Sequence, residues 1–130
     1  MAVNVLIVDS DVQMCESIGE MLQSRHSEVQ PLVAHDGEEA IDVLVEHGDY
    51  VDAVMLSPDL PVTDGWELLY VLKDKDNWPE IPIVMMVTEH AMWEDSLKAH
   101  TLGANHFVSK PVSADELTPV LDKLLTGELT

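Results

Sequence analysis

The sequence predicts an α/β fold: a parallel sheet buried between helices on both faces. Three observations carry this. Short apolar runs alternate with helical patterns five times along the chain. The runs are almost uninterrupted by polar residues, as suits strands covered on both sides. Most end abruptly in polar residues, where an open α/β sheet places its working site. No repeat, low-complexity tract or linker divides the chain, so residues 1–130 are expected to form one domain.

The elements follow in order. Val3 to Val8 is the first apolar run, ended by Asp9-Ser10-Asp11. Met14, Ile18, Met21 and Leu22 then recur at the spacing of one buried helical face. Val29 to Ala34 is a weaker second strand, and Asp36-Gly37-Glu38-Glu39 opens a helix through Ile41, Leu44 and Val45, closed by Gly48. Ala53 to Leu56 is the third strand. Trp66, Leu68, Leu69 and Leu72 face inward from a third helix that fades before Asn77-Trp78-Pro79. Ile81 to Val87 is the most apolar strand. The segment Glu89 to Leu102, closed by Gly103, carries only a thin stripe of Met92, Trp93, Leu97, Ala99 and Leu102. Phe107-Val108 gives a short fifth strand. Ser113 to Glu116 reads as a capping box ahead of the apolar face Leu117, Val120, Leu121, Leu124 and Leu125. Pro119 predicts a kinked or irregular first turn there.

Charge narrows the function. Six Lys and Arg against 25 Asp and Glu leave a net charge of −19. Such a chain repels phosphate backbones, so direct nucleic-acid binding is not expected. The acidity suits solubility or a high-salt cytoplasm; a basic partner surface is the functional alternative. No run approaches the roughly 20 apolar residues of a membrane helix. The N-terminus lacks a basic region and a cleavage site, so no signal peptide is expected. Cys15, the single cysteine, permits no internal disulfide and suits the cytoplasm.

The strand ends bring Asp9, Ser10, Ser57, Thr88 and Lys110 toward one rim. In LIVDSD, MLSPDLPVTDG, VMMVTE and GANHFVSKP, in that order, the chain resembles the receiver domain of bacterial-type response regulators over nearly its full length. The resemblance implies a flavodoxin-like (βα)5 three-layer sandwich with strand order 2-1-3-4-5. It implies two adjacent acidic residues that hold Mg²⁺ with a backbone carbonyl, an aspartate that accepts a phosphoryl group from a histidine kinase, a switch hydroxyl, a lysine and an aromatic. Carried over by position, Asp9 matches the first acidic residue and Asp59 the backbone carbonyl. Thr88 matches the hydroxyl, Lys110 the lysine and Phe107 the aromatic. Ser10 and Ser57 stand where the second acid and the phosphoacceptor aspartate should be.

Two serines for two carboxylates change the chemistry. Mg²⁺ wants charged oxygens, so its binding is predicted to be weak or absent, and no cofactor is expected. A carboxylate attacks phosphorus as it stands, whereas a serine hydroxyl first needs a base. Lys110, short of anionic partners, is expected to contact Asp9 or face a water-filled pocket. The chain therefore reads as an atypical receiver, not an enzyme, acting by phosphorylation-independent contact. The expected partner is a histidine kinase, an output domain or a second copy, bound through the face of the fourth helix, fifth strand and fifth helix. Met92, Trp93 and Phe107 lie on that face. Two alternatives stand beside this: a phosphorelay receiver accepting on Asp59, Asp11 or Ser57, and a hydrolase with Ser57 as nucleophile and Lys110 as base.

The remaining residues are read plainly. The six histidines lack metal-ligand spacing and are taken as surface groups. Cys15 is placed at the edge of the first helix. Phe107, with no hydroxyl to satisfy, reads as a fixed core residue.

Overall fold

The computed structural model describes residues 3–74, 76–88 and 92–126. Its strands are β1 (Val3–Val8), β2 (Val29–Ala34), β3 (Ala53–Leu56), β4 (Ile83–Thr88) and β5 (His106–Lys110). Its helices are α1 (Val12–Arg25), α2 (Gly37–His47), α3 (Gly65–Leu72), α4 (Met92–Thr101) and α5 (Ala114–Thr126), with a 3₁₀ turn at Gly48–Tyr50. The strands pair in parallel in the order β2-β1-β3-β4-β5, as the resemblance implies.

The alternation of side chains along each strand divides the core in two. Val5 and Ile7 pack with Ile18 and Leu22 of α1 and with Leu117, Val120 and Leu121 of α5. Leu6 and Val8 turn to the other face, against Leu44 of α2, Leu68, Leu69 and Leu72 of α3 and Ala99 of α4. β1 and β3 are buried on both faces, which is why their sequences read as continuous apolar runs. Register fixes the rim: Val8 stands opposite Leu56 and Thr88 opposite Lys110. Asp9 and Ser57 therefore leave the sheet side by side.

Side-chain oxygens close the helix starts. Asp11, Asp36 and Asp64 accept from Met14, Glu39 and Trp66 backbone N–H groups, at the N-termini of α1, α2 and α3. Ser113 accepts from Glu116 N at 3.3 Å. The reciprocal half of that capping box is diverted: the Glu116 carboxylate instead accepts from Ser109 N at 2.7 Å and Ser109 Oγ at 2.9 Å, tying α5 to β5.

Several expectations change. Val45 is 71% exposed, because α2 turns it away from the sheet. Gly48 has ordinary right-handed geometry and leads into the 3₁₀ turn. β4 begins at Ile83, two residues later than expected, and β5 extends through Lys110. The first turn of α5 is regular, with Leu117 N bonding Ser113 O at 3.0 Å. Pro119 lies further in, at the sixth helical residue, and the helix runs through it. Leu97 is exposed on α4, while Gly103 ends the segment with φ +94°, the left-handed geometry that favours glycine. Residues 89–91, where the fourth helix was expected to begin, and the side chains of Leu124 and Leu125 lie outside the described residues.

Candidate functional site at the carboxyl rim of the sheet

Three of the expected residues meet at one point. Asp9 follows β1, Ser57 follows β3, and Lys110 ends β5. Asp9 and Ser57 are buried, at 2% and 0% exposure. Lys110 Nζ lies 2.8 Å from Asp9 Oδ2 and donates to Ser57 Oγ at 2.9 Å. The expected Lys110–Asp9 contact is therefore made. Its two oxygens are held differently. Asp9 Oδ1 accepts a backbone hydrogen bond from Asp11 N at 3.0 Å. Asp9 Oδ2 touches the ammonium yet receives no directed hydrogen bond, so the contact is an ion pair by distance alone.

The backbone around Ser57 is closely fitted. Ser57 N donates to Val8 O at 2.9 Å, and Gly65 N donates to Pro58 O at 3.0 Å. A Cβ on Gly65 would run into the Ser57 carbonyl and approach Pro58 Cα to 2.6 Å. Only glycine lets α3 start this close to the end of β3. In the intervening loop Val62 adopts φ +69°, a strained conformation for a β-branched residue. The Lys110–Pro111 bond is cis.

The other expected residues stand apart from this contact. Ser10, Asp11 and Asp59 are exposed. The Asp11 carboxylate caps α1. The backbone of Thr88 ends β4 beside Lys110, but its side chain lies outside the described residues, as do those of Met92 and Trp93. Phe107 is half-buried against the α3 and α4 side of the core rather than fully enclosed, and its ring stacks on His106 with centroids 5.9 Å apart. His106 is also half-buried. Burial, then the nearby Lys123, lowers its pKa below the usual histidine value, opposed by Glu116.

Cys15 is not at a helix edge. It is buried beneath the rim, and its thiol donates to Asp9 O at 3.4 Å. Burial, with the Asp9 charge second, pushes the thiol up to about 11. The sequence reading also missed Lys98, whose ammonium sits 4.7 Å over the Trp66 ring and joins α4 to α3. No spacing rule pairs residues on different helices. Gly65 was visible only as a turn residue, and its contact with Ser57 needed the fold.

Residues 5–122 match the response regulator receiver domain family. The chain belongs to that family. It is a receiver domain of two-component signalling. It is 25% identical over 129 residues to the probable transcriptional regulator ycf29 of Pyropia yezoensis, covering 99% of this chain and 56% of that protein. It is 30% identical over 121 residues to the transcriptional regulatory protein CpxR of Escherichia coli K12, covering 93% of this chain and 48% of that one. The chain thus spans about half the length of these curated relatives. Among solved structures, a response regulator of Chloroflexus aurantiacus superposes with a TM-score of 0.84 at 25% identity, covering 97% of this receiver and 99% of that chain.

The Mg²⁺ ion implied for such a site can be tested against the donors present. Among the described residues no group of three or more His, Cys, Asp or Glu is arranged to hold a metal. The one buried carboxylate oxygen lacking a directed hydrogen bond, Asp9 Oδ2, already faces Lys110. A Mg²⁺ ion needs oxygens at roughly 2.0–2.1 Å in near-octahedral geometry. To reach Asp9 Oδ2 it would have to displace the ammonium. The donor set does not fit the ion. No described helix is long and apolar enough to cross a membrane.

Proposed function

We propose that this receiver works as a protein-interaction module without aspartyl phosphorylation and without a bound divalent ion. One observation carries the reading: the residue at the tip of β3 is Ser57, fully buried and hydrogen-bonded to Lys110. That position, where the resemblance expects the phosphoacceptor aspartate, then offers no carboxylate. The hydroxyl also faces a donor rather than a base: Lys110 gives Ser57 a proton-bearing contact while lying against Asp9. This disfavours both a phosphorylated serine and the Ser57–Lys110 hydrolase.

On this reading residues 1–130 act as one receiver-like unit. The partner, a histidine kinase, an output domain or a second copy, docks on the face formed by α4, β5 and α5. Support comes from the exposed Leu97 on α4, the half-buried Phe107 and His106 on β5, and the Glu116 tie that holds β5 and α5 together. The exposed Asp59 and the capping Asp11 remain the carboxylates nearest in sequence to the rim.

Incubation with acetyl phosphate and Mg²⁺, followed by intact mass measurement, tests the proposal. The expected spectrum is unchanged. A stoichiometric, base-labile phosphoryl adduct would overturn it and point to Asp59 or Asp11. An adduct stable to mild base would point to Ser57, and labelling of Ser57 by a fluorophosphonate would point to the hydrolase.

A further inference from the structure

We propose that Lys110 is the resident cation of this pocket, standing in for a divalent ion and clamping the carboxyl ends of β1 and β3 to β5. The inference rests on the metal-free reading above and adds to it the identity of the counter-charge. Asp9 is a buried carboxylate, and burying such a charge is costly unless it is paired and hydrogen-bonded. Among the described residues Lys110 is the cation within ion-pair distance of it. The formal sum is one negative charge on Asp9 and one positive on Lys110. Ser10 and Ser57 add nothing, so the buried pair is neutral without a metal.

The topology makes this ammonium a mechanical element as well. In the order β2-β1-β3-β4-β5, β4 separates β5 from β3, and β3 separates β4 from β1. Lys110 therefore reaches from β5 across the end of β4 to Ser57 and Asp9. One side chain ties β5 to two strands with which it shares no backbone ladder. The Lys110 side chain is 19% exposed and that of Asp9 3%, so the pair lies largely out of solvent. The poor direction of the Asp9 contact does not weaken this role, because attraction between charges depends on distance.

The clamp and the charge balance predict one pattern of variants. Lys110→Met leaves Asp9 bare, Asp9→Asn removes the charge, and the double variant is neutral again. Thermal unfolding of all four proteins is followed in MgCl2 and in NaCl of equal ionic strength. The wild type should show no Mg²⁺-specific shift. Lys110→Met should melt roughly 5–10 °C lower. The double variant should recover most of that loss. If Lys110→Met does not fold, a folded double variant as stable as Asp9→Asn supports the clamp. A double variant no more stable than Lys110→Met, or one that also fails to fold, overturns it, as does a Mg²⁺-specific rise in the wild type. A phosphoryl adduct would sink the functional proposal while leaving this coupling intact; absence of coupling would sink the clamp while leaving the mass spectrum unchanged.

Discussion

The rim around Ser57 and the α4 surface carrying Leu97 are built differently. At the rim Asp9 and Ser57 are buried, and Lys110 reaches both within 2.9 Å. On α4 Ala99 is enclosed, whereas Leu97 is 62% exposed. α4 is fastened to α3 by a cation resting on a ring, Lys98 over Trp66, beside the enclosed Ala99. The difference teaches where this receiver places rigidity. A buried ion pair fixes one arrangement, because removing either partner strands the other. A face with exposed apolar groups keeps surface available for a partner.

The largest expected effect breaks the rim. Gly65→Ala places a methyl against the Ser57 carbonyl and Pro58, so the β3–α3 loop must move. A loss of about 3 kcal/mol in urea unfolding is expected. A loss below about 1 kcal/mol would mean that the loop is not pinned.

Next in size is the pH response beneath the rim. The Cys15 thiol titrates near 9.0 when unfolded but is pushed up to about 11 in the fold. The folded state therefore holds the proton more tightly. Its contribution to stability is complete below about pH 9 and is lost as pH rises toward 11. Thermal unfolding of the wild type should fall across that window more steeply than that of Cys15→Ala. Equal slopes would contradict the buried placement. Alkylation of Cys15 at neutral pH should likewise be slow.

A smaller effect probes the join between rim and face. Ser113→Ala removes the acceptor for Glu116 N at the start of α5 and should cost about 1 kcal/mol. The Glu116 tie to Ser109 should survive, leaving β5 in place. Hydrogen exchange at Ser109 N reads this directly: protection retained supports a separate tie, protection lost refutes it. Smallest of all, Leu97→Ala should change stability by less than about 0.5 kcal/mol. If that face binds a partner, the same variant should weaken association without moving the melting temperature. A large loss of stability would show that Leu97 is packed.

Much of the fold was legible because both faces of the sheet are covered. β1, β2 and β3 begin and end where their apolar runs do. The resemblance placed Lys110 near Asp9, and the cost of an unpaired ammonium left either an Asp9 contact or a water-filled pocket; the structure makes the contact. What escaped depended on direction rather than composition. Val45 and Leu97 fit an apolar stripe in the sequence, yet helix rotation leaves both exposed. Pro119 looked like a first-turn disruption, but α5 starts at Ala114 and its first turn keeps the Leu117–Ser113 bond. Glu116 sits at the right spacing for a reciprocal cap, but an open N–H on β5 takes its carboxylate. Cys15 shares the Ile18 and Leu22 face of α1, which the Met14 and Met21 spacing concealed.

The central claim is that a lysine, not a metal, fills the charge requirement at the end of the sheet. A crystal structure of the protein grown with Mg²⁺ and beryllofluoride tests it most directly. The expected density shows the Lys110 ammonium still seated between Asp9 and Ser57, with no ordered metal beside them. An ordered Mg²⁺ on Asp9 with beryllofluoride bound at residue 57 would contradict it.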